Sequence, residues 1–133
     1  TIDLATQPSA FNFNMMRDQA KYIAESIGVI MKKFERSAKF TIIAHSIGGG
    51  VSYYSTLSKK FPVSQLANII TLATPLEYSP LYFNRGGEAI LDKIYQNVSN
   101  HLVENVVHIN IHGGARDFLV NPEISNYNRF NQK

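Results

Sequence analysis

The stretch Ile42–Gly50, "IIAHSIGGG", decides how this chain is read. A run of apolar β-formers meets a serine, and glycines come almost at once after it. Strand, sharp turn and helix start is the order in which a G-x-S-x-G nucleophile elbow is built. The match here is Ala44-His45-Ser46-Ile47-Gly48, with alanine in place of the first glycine. Small residues let strand and helix approach while the serine takes a strained backbone conformation that exposes its Oγ. The backbone N–H of Ile47, next after the serine, would be one donor to a developing oxyanion. A phosphate-binding loop is the competing reading, and it fails. Neither G-x-x-x-x-G-K-[ST] nor G-x-G-x-x-G can be laid on these residues.

Working outward, "KFTIIAH" (39–45) reads as a short buried strand, and Ile47 to Lys60 can be helical until Pro62 stops it. "ANIITLAT" (67–74) is a second apolar run, closed by Pro75, and "NVVHINI" (105–111) a third, closed by Gly113-Gly114. Continuous apolarity is the pattern of parallel strands covered on both faces. Upstream, "NMMRDQAKYIAESIGVIMKKFER" (14–36) sets Met16, Ala20, Ile23, Ile27, Ile30, Met31 and Phe34 on one helical stripe. Asn14 is its N-cap, with Asp18 in the first turns and Lys32, Lys33 and Arg36 in the last. "GEAILDKIYQNVSNHL" (87–102) is a further helical stretch, and "TIDLATQPSAF" (1–11) a strand end and loop. Helices alternating with strands give an α/β class, a parallel sheet with crossover helices. The chain is read as one domain over residues 1–133. It opens in mid-pattern on Thr1 rather than on methionine, so it is expected to be part of something longer.

Composition excludes several classes. With 44% hydrophobic and 17% charged residues the chain is globular rather than disordered. The net charge of +3 is spread out, with Lys32-Lys33 and Lys59-Lys60 at expected helix ends. No longer basic run or arginine-aromatic pattern points to nucleic acid, and none is expected as a partner. Absence of cysteine excludes disulfides and thiolate zinc sites. No cofactor or metal motif is present, and no apolar run approaches the roughly 20 residues that span a bilayer.

Serine hydrolases of this strand-turn-helix type follow the order Ser, Asp/Glu, His. The acid belongs just past the carboxyl end of a later strand. Asp117, after "VVHINIHGGAR", meets that description, and Glu77, after "TLATPL", competes with it. Glu88 and Asp92 read as helix-surface groups. The histidines His45, His101, His108 and His112 all precede Asp117. His108 reads as a satisfied core residue, and His45 should point away from the reacting side of Ser46. The base is therefore expected outside this sequence, as is the second oxyanion donor.

Three blocks resemble the GPI inositol-deacylases, membrane-embedded α/β-hydrolase lipases of the endoplasmic reticulum. "FTIIAHSIGGGVSYYS" resembles their elbow, "LANIITLATPLEYSP" their next strand and Thr-Pro turn, and "VVHINIHGGARDFLV" their G-G-x-R-D-x-x-V loop. Two positions depart from that pattern: Ala44 stands where the family usually has glycine, and Leu76 where it usually has histidine. The resemblance implies a piece of an α/β-hydrolase fold with Ser46 as nucleophile and Asp117 as acid. It implies release of the acyl chain from the inositol of GPI anchors, an acylated GPI lipid or GPI-anchored protein as partner, and an endoplasmic reticulum membrane location. Membrane attachment would come through other parts of the polypeptide. Another lipase or esterase specificity, or a non-catalytic interaction module, is the alternative reading. Asn97-Val98-Ser99 is a glycosylation sequon.

Overall fold

A computed structural model describes residue 2 and residues 13–77, 85–97 and 105–125. Its elements run α1 (Phe13–Met31), β1 (Phe40–His45), α2 (Ile47–Ser55), β2 (Leu66–Leu72), α3 (Arg85–Asn97) and β3 (Val107–Ile111). The three strands form one parallel sheet in the order β1-β2-β3. This is the expected α/β architecture, an open parallel sheet with crossover helices as in part of an α/β-hydrolase fold. The opening loop (3–12), His101 and the end of the sequon lie outside the described residues.

All three apolar runs become strands, each within a residue or two of its sequence bounds. α1 and α2 are shorter at their carboxyl ends than the pattern suggests. α1 stops at Met31, where Lys33 N–H and Phe34 N–H turn back to the Ile30 and Met31 carbonyls. The stripe is buried at Met16, Ala20, Ile23 and Met31, yet Ile30 and Phe34 are exposed. Lys32, Lys33 and Arg36 therefore lie past the helix rather than in its last turn. Asn14 sits inside α1, two residues past the cap position. α2 closes at Ser55, with Thr56 as its C-cap, so Lys59-Lys60 belong to the turns beyond it.

The core lies between the helices and one face of the sheet. Met16, Ala20 and Ile23 of α1 meet Val51 and Tyr53 of α2, Ile90, Leu91 and Ile94 of α3, and Ile69 of β2. Ile69 is fully buried, and each such side chain contributes roughly 1.5–3 kcal/mol through the apolar area it removes from water.

The strands depart from the sequence reading on their other face. Register places Ile43 beside Ile70 and Ile70 beside Ile109, then His45 beside Leu72 and Leu72 beside Ile111. Among the described residues nothing covers that side: Ile43 is 68% exposed, and Val107, Ile109 and Ile111 are exposed too. β3 is not continuously buried but alternates. Its inward side chains, His108 and Asn110, are polar and partnered, whereas its apolar ones face outward.

Candidate active site

The carboxyl ends of the three strands are level. His45, Leu72 and Ile111 share one rung, and the ladder runs a step further through Ser46 N–H to the Leu72 carbonyl (2.8 Å) and Ala73 N–H to the Ile111 carbonyl (2.7 Å). Ser46, the Ala73-Thr74-Pro75 turn and His112 thus line one edge. Neighbouring strands lie about 4.8 Å apart, so the β1 and β3 ends are separated by roughly 10 Å.

Ser46 is the hinge between β1 and α2. Its φ of 53° and ψ of −135° lie where few residues with a side chain are found. Such a geometry costs on the order of 1–3 kcal/mol and persists only where its surroundings hold it. Two bonds do so: its amide to Leu72, and its carbonyl accepting Gly49 N–H at 3.0 Å. A serine before a helix ordinarily caps it, but the Ser46 hydroxyl makes no capping bond to α2. The hydroxyl is left half-buried at the edge. Ile47 opens α2, and amides of a first helical turn have no acceptor inside the helix, so its N–H is available to a negative charge.

The close approach of strand and helix is made by a different glycine from the one in the motif. A Cβ on Gly48 would meet nothing within 4 Å, whereas one on Gly49 would overlap the Thr74 side chain. Thr74 is fully buried, and its Oγ1 has no hydrogen-bond partner among the described residues. Neither Gly49 nor Thr74 stands out in the sequence. In a run of three glycines the tight one has no local mark.

Asp117 lies after β3 on a loop of fixed shape. Gly114, at φ 70°, opens a 3-10 turn through Arg116, and Asp117 N–H returns to the Gly114 carbonyl at 3.1 Å. Asp117 Oδ1 accepts the N–H groups of Leu119 (3.1 Å) and Val120 (2.9 Å), which fixes the carboxyl orientation. Oδ2 lies on the Gly113 side, where an added Cβ would come within 3.3 Å of it. Asp117 is half-buried, and the loop is pinned at its far end by buried Val120.

The other candidates have surroundings of their own. Glu77 lies beyond the β2 turn, its N–H on the Ile124 carbonyl and its own carbonyl receiving Tyr95 OH. Leu76, at the position where the resembling family usually has histidine, is fully buried and serves packing. His108 Nδ1 pairs with Tyr53 OH at 3.1 Å and its ring stacks on the tyrosine, so it is an inward, partnered residue. His45 is exposed on the open sheet face, away from α2. His112 is exposed, and its Nδ1 accepts Gly114 N–H at 3.2 Å. Asp92 is exposed on α3, and the Glu88 backbone is helical. Among the described residues no group of three or more His, Asp or Glu side chains could hold a metal ion. None of their helices is long and apolar enough to cross a membrane.

Residues 1–132 match the family model described as the PGAP1-like alpha/beta domain. Curated relatives point the same way. The GPI inositol-deacylase of Schizosaccharomyces pombe is 26% identical over 97% of this chain. GPI inositol-deacylase A of Yarrowia lipolytica is 24% identical over 98% of it, and a Cryptococcus neoformans GPI inositol-deacylase 30% identical over 76%. The chain spans 13% of the length of each of the first two relatives and 14% of the third.

Proposed function

The chain belongs to the PGAP1-like alpha/beta family, and from that premise we propose that it carries the nucleophile and acid of a serine ester hydrolase that removes the acyl chain from the inositol of GPI anchors. The observation that carries this is Ser46 itself, a non-glycine residue at positive φ between a parallel strand and a helix. Its edge is shared with the Asp117 loop. The names of the relatives supply the substrate class.

In this mechanism Ser46 Oγ attacks the acyl carbonyl while a histidine takes its proton. The oxyanion is held by Ile47 N–H and by a second donor from elsewhere in the polypeptide. The inositol oxygen leaves with the histidine's proton, and water then hydrolyses the acyl-serine to free fatty acid. Asp117 holds the imidazole through Oδ2, since Oδ1 is engaged by its own loop. None of the four histidines comes after Asp117 in the sequence, so the base is supplied from beyond Lys133. Residues 1–133 are then one part of an α/β-hydrolase domain. The uncovered apolar sheet face, with Ile43, Val107, Ile109 and Ile111 exposed, supports this, because parallel sheets are ordinarily covered on both sides. Taken alone, the 133 residues would be inactive. The acting protein resides at the endoplasmic reticulum membrane, anchored through other segments, and serves the exit of GPI-anchored proteins.

The test is made on the full-length protein. A fluorophosphonate probe should label it, and Ser46→Ala should abolish labelling together with fatty-acid release from inositol-acylated GPI. Labelling that survives the substitution removes Ser46 from the role. Asp117→Asn keeps an Oδ1 for the Leu119 and Val120 amides, so the loop should hold while turnover falls by on the order of 10⁴-fold. Labelling with release of fatty acid only from other lipid esters would point to a lipase of different specificity.

A further inference from the structure

We infer that Phe118 and Leu119 form the acyl-chain contact of the Ser46 site and set its preference for long chains, an inference that rests on Ser46 cleaving a lipid ester. Among the described residues these are the two most exposed large apolar side chains, at 94% and 83%. Single apolar residues on a surface need no explanation. Here the two are adjacent, and they come directly after Asp117 on the edge that also bears Ser46.

Their exposure is imposed by the loop. The Asp117 carboxylate holds the amides of Leu119 and Val120, and Val120 is buried directly behind them. Turning this backbone segment inward would break the bonds from the Leu119 and Val120 amides to the Asp117 carboxylate. Catalytic orientation and apolar display are thus one piece of backbone geometry.

The β1 and β3 ends are separated by two strand widths, roughly 10 Å. A fatty acyl chain leaving the Ser46 carbonyl toward β3 covers that distance, whereas an acetyl group does not reach it. Each methylene taken out of water is worth about fourfold in affinity, so contact with only a few accounts for strong discrimination by length. A bilayer is the poorer occupant. Two side chains bury less apolar surface than one lipid anchor, and a single acyl anchor holds a protein to a membrane only marginally.

The experiment uses the full-length protein and esters graded from acetyl to palmitoyl, presented below their aggregation limit. Phe118→Ser with Leu119→Ser should lower the palmitoyl-to-acetyl ratio of kcat/KM by about tenfold or more, while Phe118→Leu should keep the ratio high. Fluorophosphonate labelling of each variant reports whether Ser46 is still presented. A ratio unchanged in a labelled variant overturns the inference. So does an equal loss at every chain length with a lowered melting temperature, which would mean the pair packs against another part of the protein. Weakened sedimentation with phosphatidylcholine vesicles at an unchanged ratio would assign the pair to the membrane and overturn it as well. If the unsubstituted protein is not labelled at all, the nucleophile reading fails, and this one with it.

Discussion

Ser46 and Ala73 stand at the same place on neighbouring strands. Each comes right after the last residue of its strand, each takes a positive φ (53° and 45°), and each sends its amide to a carbonyl of the next strand. Beyond them the two chain paths diverge. After Ser46 the chain enters α2 directly, so a hydroxyl and a helix start share one turn. After Ala73 it passes to Thr74-Pro75, whose threonine is buried against Gly49. Strain at a strand end is therefore not in itself a sign of chemistry. One turn leaves a hydroxyl without a capping bond, and the other packs its threonine against the helix that follows the first.

The largest effect comes from moving the hydroxyl between the two turns. Ser46→Ala combined with Ala73→Ser should leave fatty-acid release down by on the order of 10⁴-fold or more, as when a nucleophile is removed outright. Recovered turnover would show the two strand ends to be interchangeable, and the comparison would fail.

Packing between the turns gives the next largest effect. Gly49→Ala forces a methyl into the Thr74 side chain and should destabilise the fold by about 1–3 kcal/mol in urea unfolding. Gly48→Ala meets open space and should gain up to ~1 kcal/mol from helix propensity. Equal effects at both positions would mean that the close approach lies elsewhere.

Strain itself is probed by Ala73→Gly. Relief of a left-handed alanine is worth roughly 1–2 kcal/mol. The added freedom of glycine in the unfolded chain takes back about 0.4–1 kcal/mol. The net expectation is a gain of about 0.5–1 kcal/mol, read from the shift of the urea midpoint. A loss instead would show that Ala73 is not strained in the way Ser46 is.

The smallest effect lies far from both turns, at the exposed Lys60–Glu25 pair (2.8 Å). The Lys60 hydrogen bond, and then its charge, hold the Glu25 carboxyl below its usual value. A carboxyl depressed in the folded state stabilises above its unfolded pKa, and that contribution is lost as pH falls through the folded one. The small melting difference between the unsubstituted protein and Glu25→Gln should be present at neutral pH, vanish at strongly acidic pH and shrink in salt. A difference that grows on acidification would reverse this assignment.

The site is legible in the sequence to the extent that its signals are local. The Ala44–Gly48 pattern sits within five residues, between an apolar strand and a helix-compatible segment. Asp117 is marked by its distance past a strand end. The structure puts it on the loop that follows β3 and ties its Oδ1 to that loop. The roles of Gly49, of Thr74 and of the Tyr53–His108 pair are not legible, because each depends on residues 25 or more positions apart. The sequence pattern overruns α1 because helical spacing continues through Phe34, while the turn after Met31 is set by the backbone.

By itself the sequence determined the α/β order, the three strands and the turns that carry Ser46 and Asp117, since apolar runs, Gly and Pro breaks and short motifs act over neighbouring residues. Only the tertiary structure decided which glycine is tight, which sheet face the described helices cover, and that β3 turns His108 and Asn110 inward while its isoleucines face out. Those outcomes depend on which distant side chains occupy the same space, and chain order carries no local signal of that.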